Sequence, residues 1–241
     1  MSDNQYMVSR NRRRYAQPRG FVAGLTPEGH INKIVADMNN LKGGYDIRNW
    51  SLSERKELTP ALTVKLLIGK DPNTEVYVPK LALILASPVV RAHFVKNPAE
   101  VQAKFTHPDV SLEPVEQISK WLKGACHQSD FLELPVPQNL DAALKLRLTA
   151  HTLSMERYVE HMDAKYLAGI KERVPTLQEI SEVVDNTRKN DDPIMVALAN
   201  QLSFLCRYHK ISESKEIEYT NFLAEDKYAC LLNLIEKDTV L

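Results

Sequence analysis

Three cysteines, Cys126, Cys206 and Cys230, are too few and too scattered for a disulfide framework. An odd number without Cys-x-x-Cys spacing reads as reduced thiols, packed as small core residues in an intracellular compartment. No apolar run approaches the roughly 20 residues needed to span a bilayer. No apolar secretory stretch follows Met1. The expectation is no membrane partner and a cytoplasmic or nuclear location. Net charge is missing too, since 31 Lys plus Arg balance 31 Asp plus Glu. The chain therefore lacks a global field for nucleic acid or anionic membranes. It also lacks one electrostatic barrier to self-association.

The motifs of common chemistries are absent as well. Gly69-Lys70 follows a predicted strand, but Val64 stands where a phosphate-binding loop needs its first glycine. Asp71 stands where that loop needs the Ser or Thr that holds magnesium. The seven histidines, His30, His93, His107, His127, His151, His161 and His209, form no His-Glu-x-x-His pair and join no cysteine pair. Cys126 and His127 are neighbours, so on one helix they point in different directions. No Gly-x-Ser-x-Gly elbow occurs. Glu113, Glu116, Asp185, Asp191 and Asp192 are expected at helix starts or in polar loops, where carboxylates favour exposed N–H groups and the helix dipole. The expectation is a protein that is not an enzyme, with no catalytic, cofactor-binding or metal-binding residues and no cofactor.

What is present is a chain of 241 residues, 44% hydrophobic and 26% charged, which is enough apolar material to build a core without staples. Residues 1–24 have no hydrophobic periodicity and read as a basic, flexible arm. Arg10, Arg12, Arg13, Arg14 and Arg19 stand there against one acid, Asp3. Such an arm reads as a solvated tail, a nuclear signal, a mitochondrial import sequence or a set of phosphate or partner contacts. Tyr6 and Tyr15 offer stacking. Any nucleic-acid binding is expected through this arm alone and with weak sequence preference.

Residues 25–62 read as an amphipathic helix and a connection. Thr26-Pro27 suits a helix start, and Ile31, Ile34, Val35, Met38 and Leu41 fall on one face before Gly43-Gly44. That stripe is a candidate self-association surface or an intramolecular one. Ser51 and Glu54 have capping-box spacing. Val64 to Ile68 and Glu75 to Val78 flank a turn cluster and predict a β-hairpin that Pro79 ends. Helical character then starts at Leu81. Ser87-Pro88 starts a second helix whose Val89, Val90 and Phe94 are expected in the core. A short extended piece at Lys104 to Thr106 precedes a helix opened by Pro114 with Val115, Ile118, Trp121 and Leu122 on one face. Leucines from Leu140 to Leu153 predict a long helix, and Met155 to Ile170 a second one. Thr176 and Glu179 have capping-box spacing. Asp192-Pro193 opens a helix with Ile194, Leu198, Leu202 and Leu205, and a last helix is expected to hold Phe222 through Ile235. The class is α+β, a small sheet flanked by helices and followed by an all-helical C-terminal extension.

The run Val76-Tyr77-Val78-Pro79-Lys80-Leu81, continuing through Ser87-Pro88-Val89 to Phe94, resembles the segment that follows the hairpin in BTB/POZ domains. Phe105 to Val110 before Glu113-Pro114, and Leu144 to Met155, are similar to later pieces of that family in the same order. Residues 63–174 are on this ground a BTB/POZ-like domain. Residues 175–241 resemble the helical extensions of fungal BTB-like proteins, with Asn186-Thr187 before a polar loop. The resemblance implies a scaffold or adaptor that forms homodimers or recruits other proteins.

Two departures bear on partners. The aspartate and histidine of many BTB dimers are missing, with Leu62-Thr63 and Pro79 in those regions. In the loop with which BTB adaptors dock a cullin-type ligase scaffold, this chain has Val95 to Glu100. There Pro98 takes the apolar position, Ala99 follows and Glu100 is kept. Val95, Pro98, Ala99 and Glu100 thus form a candidate partner loop, although Glu100 reads more simply as a solvated loop charge. The other reading of the whole chain is a structural subunit of a larger nucleoprotein or organellar assembly, anchored by the Arg-rich arm.

Overall fold

Alternation and β-branching decide the first elements. In the computed structural model, which describes residues 36, 39, 45–59, 63–69, 74–129, 133–187 and 191–239, Thr63–Ile68 forms β1 and Glu75–Pro79 forms β2. They pair antiparallel from Thr63 opposite Pro79 to Leu67 opposite Glu75, with Lys65 ion-paired to Glu75. Pro79 is the last paired residue, because it has no N–H to extend the ladder. Gly69 closes β1 with φ +72, a backbone conformation that side chains other than glycine rarely adopt. Its N–H donates to the Phe105 carbonyl at 2.8 Å.

Gln102–Phe105 forms β3, which pairs with β1 in parallel, so the sheet order is β2-β1-β3. Two helices lead from β2 to β3. Leu52–Lys56, earlier in the chain, is α1, and Lys80–Ala86 is α2, which is buried at every residue. Ser87 breaks it. A residue before proline is pushed out of the helical region, and Ser87 is extended at φ −116, ψ 110. Its hydroxyl accepts from the Val90 N–H and donates to the Leu153 carbonyl at 2.6 Å, so the break is fully bonded. Pro88–Lys96 follows as α3. Val90 and Phe94 are fully buried there, whereas Val89, expected in the core, is half-buried.

Leu112–His127 (α4) begins two residues before Pro114, which therefore sits inside the first turn, where its missing N–H is no loss. Val115, Ile118, Trp121 and Leu122 are buried as expected, and α4 packs on β2 and on α2. Ser119 donates to the Tyr77 carbonyl at 2.9 Å. Ser51 and Glu54 form the expected capping box on α1. That short helix positions Arg55, which is 3% exposed. The Arg55 guanidinium donates to the Ala125, Gln128 and Ser129 carbonyls at the end of α4. A cation there serves both the orphan carbonyls and the helix dipole. The Tyr158 hydroxyl accepts from the Ile47 N–H at 3.1 Å, and its ring stands 4.9 Å from Trp121. Burial pushes the Tyr158 phenol up to about 12.

By packing, the described residues as far as Pro135, together with Thr149–Tyr158, form one unit, and Val136–Leu148 with the described residues from Val159 form another. The second contains most of Leu140–Thr152 (α5), then Glu160–Ile170 (α6), Leu177–Asn186 (α7), Pro193–Arg207 (α8), Glu213–Leu223 (α9) and Ala229–Thr239 (α10). Helices Leu140–Leu148 and α6, grouped by resemblance with the preceding domain, thus share a core with the C-terminal helices. That core joins Leu144, Tyr166 and Ile170 to Ile180, Leu198, Leu202 and Leu231. Among the described residues the fold is mixed α+β, mostly helical, with ten α-helices and one three-stranded sheet.

Several local expectations are corrected. The helix expected from Met155 is a 3-10 turn at Glu156–Tyr158 before α6. It is set off by Ser154 at φ 53. The expected last helix is two, α9 and α10, separated by a 3-10 turn at Asp226–Tyr228. Thr176 caps α7 by accepting from the Glu179 N–H at 3.0 Å, but Glu179 does not return the bond. Its carboxylate is held by Tyr166 and Arg173 instead. Asp185 lies in the last turn of α7, where Lys227 neutralises it. Cys126 is a core thiol, whereas Cys206 is exposed and Cys230 half-buried.

Arg55→Met keeps the stem and removes the donors from three carbonyls. The expected loss is about 3 kcal/mol of unfolding free energy, read from urea denaturation. A loss below about 1 kcal/mol is incompatible with Arg55 closing α4.

Candidate functional site

The partner loop begins as the end of a helix. α3 runs to Lys96, and Asn97 leaves it at φ −132, ψ 61. The Asn97 amide and side chain both donate to the His93 carbonyl, at 3.0 and 3.2 Å. The Glu100 N–H returns to the Asn97 carbonyl at 3.1 Å. Residues 97–100 are thus a four-residue turn with Pro98 in its second place, where a fixed φ near −65° suits the turn.

Two groups from outside the turn hold it. The first is Lys80, the opening residue of α2, which is 0% exposed. Its ammonium donates to the Pro98 and Glu100 carbonyls, each at 2.7 Å, and lies 4.2 Å from the centre of the Phe94 ring. A buried ammonium without acceptors is strongly disfavoured, so the turn and the lysine require each other. Burial pushes the Lys80 amine down to about 8, and the negative charge of Glu100 opposes that shift. The second group is His93, whose Nε2 lies 2.7 Å from a Glu100 carboxylate oxygen. The His93 side chain is 8% exposed and that of Glu100 24%.

Glu100 is therefore an intramolecular partner of His93 and not a freely solvated charge. Pro98 is half-buried, with its carbonyl turned to Lys80. The groups that face solvent are Ala92, Val95, Lys96 and Ala99, with Val95 61% exposed. Of the four expected loop residues, Val95 and Ala99 face outward, while Pro98 and Glu100 tie the turn down.

Lys80 and His93 were not singled out from sequence. Lys80 had one signal: it opens the apolar run Leu81 to Ala86, where a lone lysine must find acceptors. His93 had none, because its bond to Glu100 runs from the last turns of α3 to a residue beyond the helix end. The other candidate groups, the stripe Ile31, Ile34, Val35, Met38 and Leu41 and the arginines Arg10, Arg12, Arg13, Arg14 and Arg19, lie outside the described residues.

Among the described residues, no three or more His, Cys, Asp or Glu side chains are placed to hold a metal ion, and no helix is long and apolar enough to cross a membrane. The Cys126 thiol is pushed up to about 11 by burial, the opposite of what a nucleophile needs. Comparison with family models, with curated proteins and with solved structures finds no match to this chain.

The Lys80 clamp has a pH signature. Its amine is depressed in the fold to about 8 from 10.5, so between those values the unfolded chain binds more protons. Stability then rises with pH across that window. The difference in urea midpoint between the native chain and Lys80→Met is expected to move in favour of the native chain from pH 7.5 to pH 9.5. A difference that stays constant contradicts a charged, desolvated Lys80.

Proposed function

We propose that this chain is a non-catalytic protein-interaction module, a BTB/POZ-like scaffold or adaptor that recruits a partner protein. The observation that carries the reading is the turn at residues 97–100. Lys80 and His93 hold it in one conformation, while Val95 and Ala99 are left outside. A loop already ordered has little conformational entropy to lose on binding. The element order also supports it: a hairpin, two helices parted at Ser87-Pro88, then a strand parallel to the first, in the sequence order of the family resemblance.

The partner's contact is apolar. Val95, with Ala92 and Ala99 beside it, offers a small hydrophobic surface, and Lys96 adds a positive charge at its edge. Glu100 acts by shaping the turn through His93, so a cullin-type contact through that glutamate is not the reading favoured.

The test is recovery of tagged full-length protein from its native cells at physiological salt, with bound proteins quantified. Val95→Glu with Ala99→Glu is expected to keep the circular dichroism of the native chain and to lose at least about tenfold of the stoichiometric partner, which is about 1.4 kcal/mol. Ile217→Glu, at another exposed apolar residue, is the control and keeps it. Equal recovery with the loop variant overturns the reading.

Self-association is the second arm. Charged residues at Ile34 and Met38 are expected to halve the mass seen in light scattering. An unchanged oligomeric mass removes that stripe as the interface.

A further inference from the structure

The second unit contains a partly open cavity of about 270 Å³. Helical spacing builds two of its walls. α5 contributes Leu140, Ala143, Leu144 and Arg147, at steps of three and four. α6 contributes Met162, Lys165, Tyr166 and Gly169 with the same steps. Val136, Pro137 and Ile194 of α8 complete the apolar lining.

Gly169 borders this space in the last turn of α6. A Cβ built there meets nothing within 4 Å, so a larger side chain at this position has room to enter the slot.

The charges on the lining are all positive: Arg147, Lys165 and Arg173, without a carboxylate among them. Two are already committed. Arg147 is held by Asp163 at 2.5 Å and Asp192 at 2.8 Å, and Arg173 by Glu179 at 2.6 Å. Lys165 is exposed and has no ion pair or hydrogen bond among the described residues. It is the cation on this lining with its charge left to give. The Tyr166 hydroxyl is spent on Glu179, so what this residue can offer the slot is its apolar ring.

We propose that the slot between α5 and α6 binds a small amphipathic monocarboxylate, a medium-chain fatty acid, with the tail along Leu140, Leu144 and Met162 and the carboxylate on Lys165. The apolar walls select the tail, and the single uncommitted ammonium at the opening selects one anionic head. A cavity this size is at the small end of ligand pockets, which fits a single chain and excludes a nucleotide or a two-tailed lipid.

The experiment titrates butanoate, hexanoate, octanoate and octanol into the full chain by calorimetry. Octanoate is expected to bind saturably. Affinity should rise about fourfold for each added methylene up to octanoate. Octanol should bind at least fivefold more weakly than octanoate. Lys165→Gln should bring octanoate down to the level of octanol and leave octanol unchanged. Gly169→Leu, which places a side chain in the slot, should remove both. Lys215→Gln, at a surface lysine paired with Glu218, should bind as the native chain does. Absence of saturable octanoate binding at millimolar concentration overturns the proposal. So does binding that neither Lys165→Gln nor Gly169→Leu weakens, or equal binding of octanoate and octanol. Should Gly169→Leu fail to fold, the octanoate and octanol pair on Lys165→Gln decides alone.

Discussion

Two strands that run parallel cannot be joined by a turn, and much of the first unit follows from that constraint. β3 lies beside β1 in the same direction, and β2 makes the return: its last residue, Pro79, stands opposite Thr63, near the end of β1 where β3 begins opposite Lys65. The chain then crosses from β2 to β3, on the other side of β1, as α2 and α3, divided at Ser87 because proline follows. The return leg must then turn sharply into β3, and that turn is residues 97–100. Lys80 is placed to hold it because it opens α2 directly after β2. The sheet, the broken crossover and the clamped loop are thus one device. The Lys80 ammonium that bonds the Pro98 and Glu100 carbonyls fastens the end of the crossover to its beginning.

The second unit relies on a different solution to the same problem of buried charge. Arg147 is 2% exposed and answered by two carboxylates, Asp163 from α6 and Asp192 at the start of α8. Asp192 also caps α8 by accepting from the Ile194 N–H at 3.0 Å, so one side chain orders a helix end and neutralises a buried cation. Glu179 is 4% exposed and takes bonds from Tyr166 and Arg173. Removing Arg147 leaves two carboxylates without their cation, and removing Arg173 leaves the buried Glu179 carboxylate without its cation, which is far more costly than never having buried the charges. These sets fix how α5, α6, α7 and α8 stand against each other, and the open slot lies beside them.

The same commitments decide what each part can offer to other molecules. At the loop, the carboxylate and the carbonyls are taken, so the free surface is apolar with one lysine. Beside α5 and α6, two arginines are taken, so the free charge is one ammonium over an apolar slot. In both places the bonds made inside the chain decide which groups are left exposed to other molecules.

What was legible in the sequence was local and periodic. The hairpin, the helix start at Ser87-Pro88, the buried face of Val115, Ile118, Trp121 and Leu122, the capping box at Ser51 and the start of α8 at Asp192-Pro193 all depend on neighbours within about five residues, and all are found. Where spacing misled, a distant group had won. Glu179 had the spacing of a capping box, but a buried carboxylate gains more from Arg173 and Tyr166 than from one N–H at a helix end. Met155 to Ile170 carried helical spacing throughout, yet Ser154 and a 3-10 turn interrupt it, and the Tyr158 hydroxyl is spent on Ile47. Sequence by itself therefore determined the hairpin, several helix starts and the mixed α+β class, because these rest on short-range backbone preference and apolar period. Only the tertiary structure decided that β3 lies parallel to β1, that Lys80 and His93 hold the loop, and that α5 and α6 leave a slot beside Lys165. Each of these depends on which groups far apart in the chain satisfy one another once water is excluded, and spacing along a chain carries no record of that.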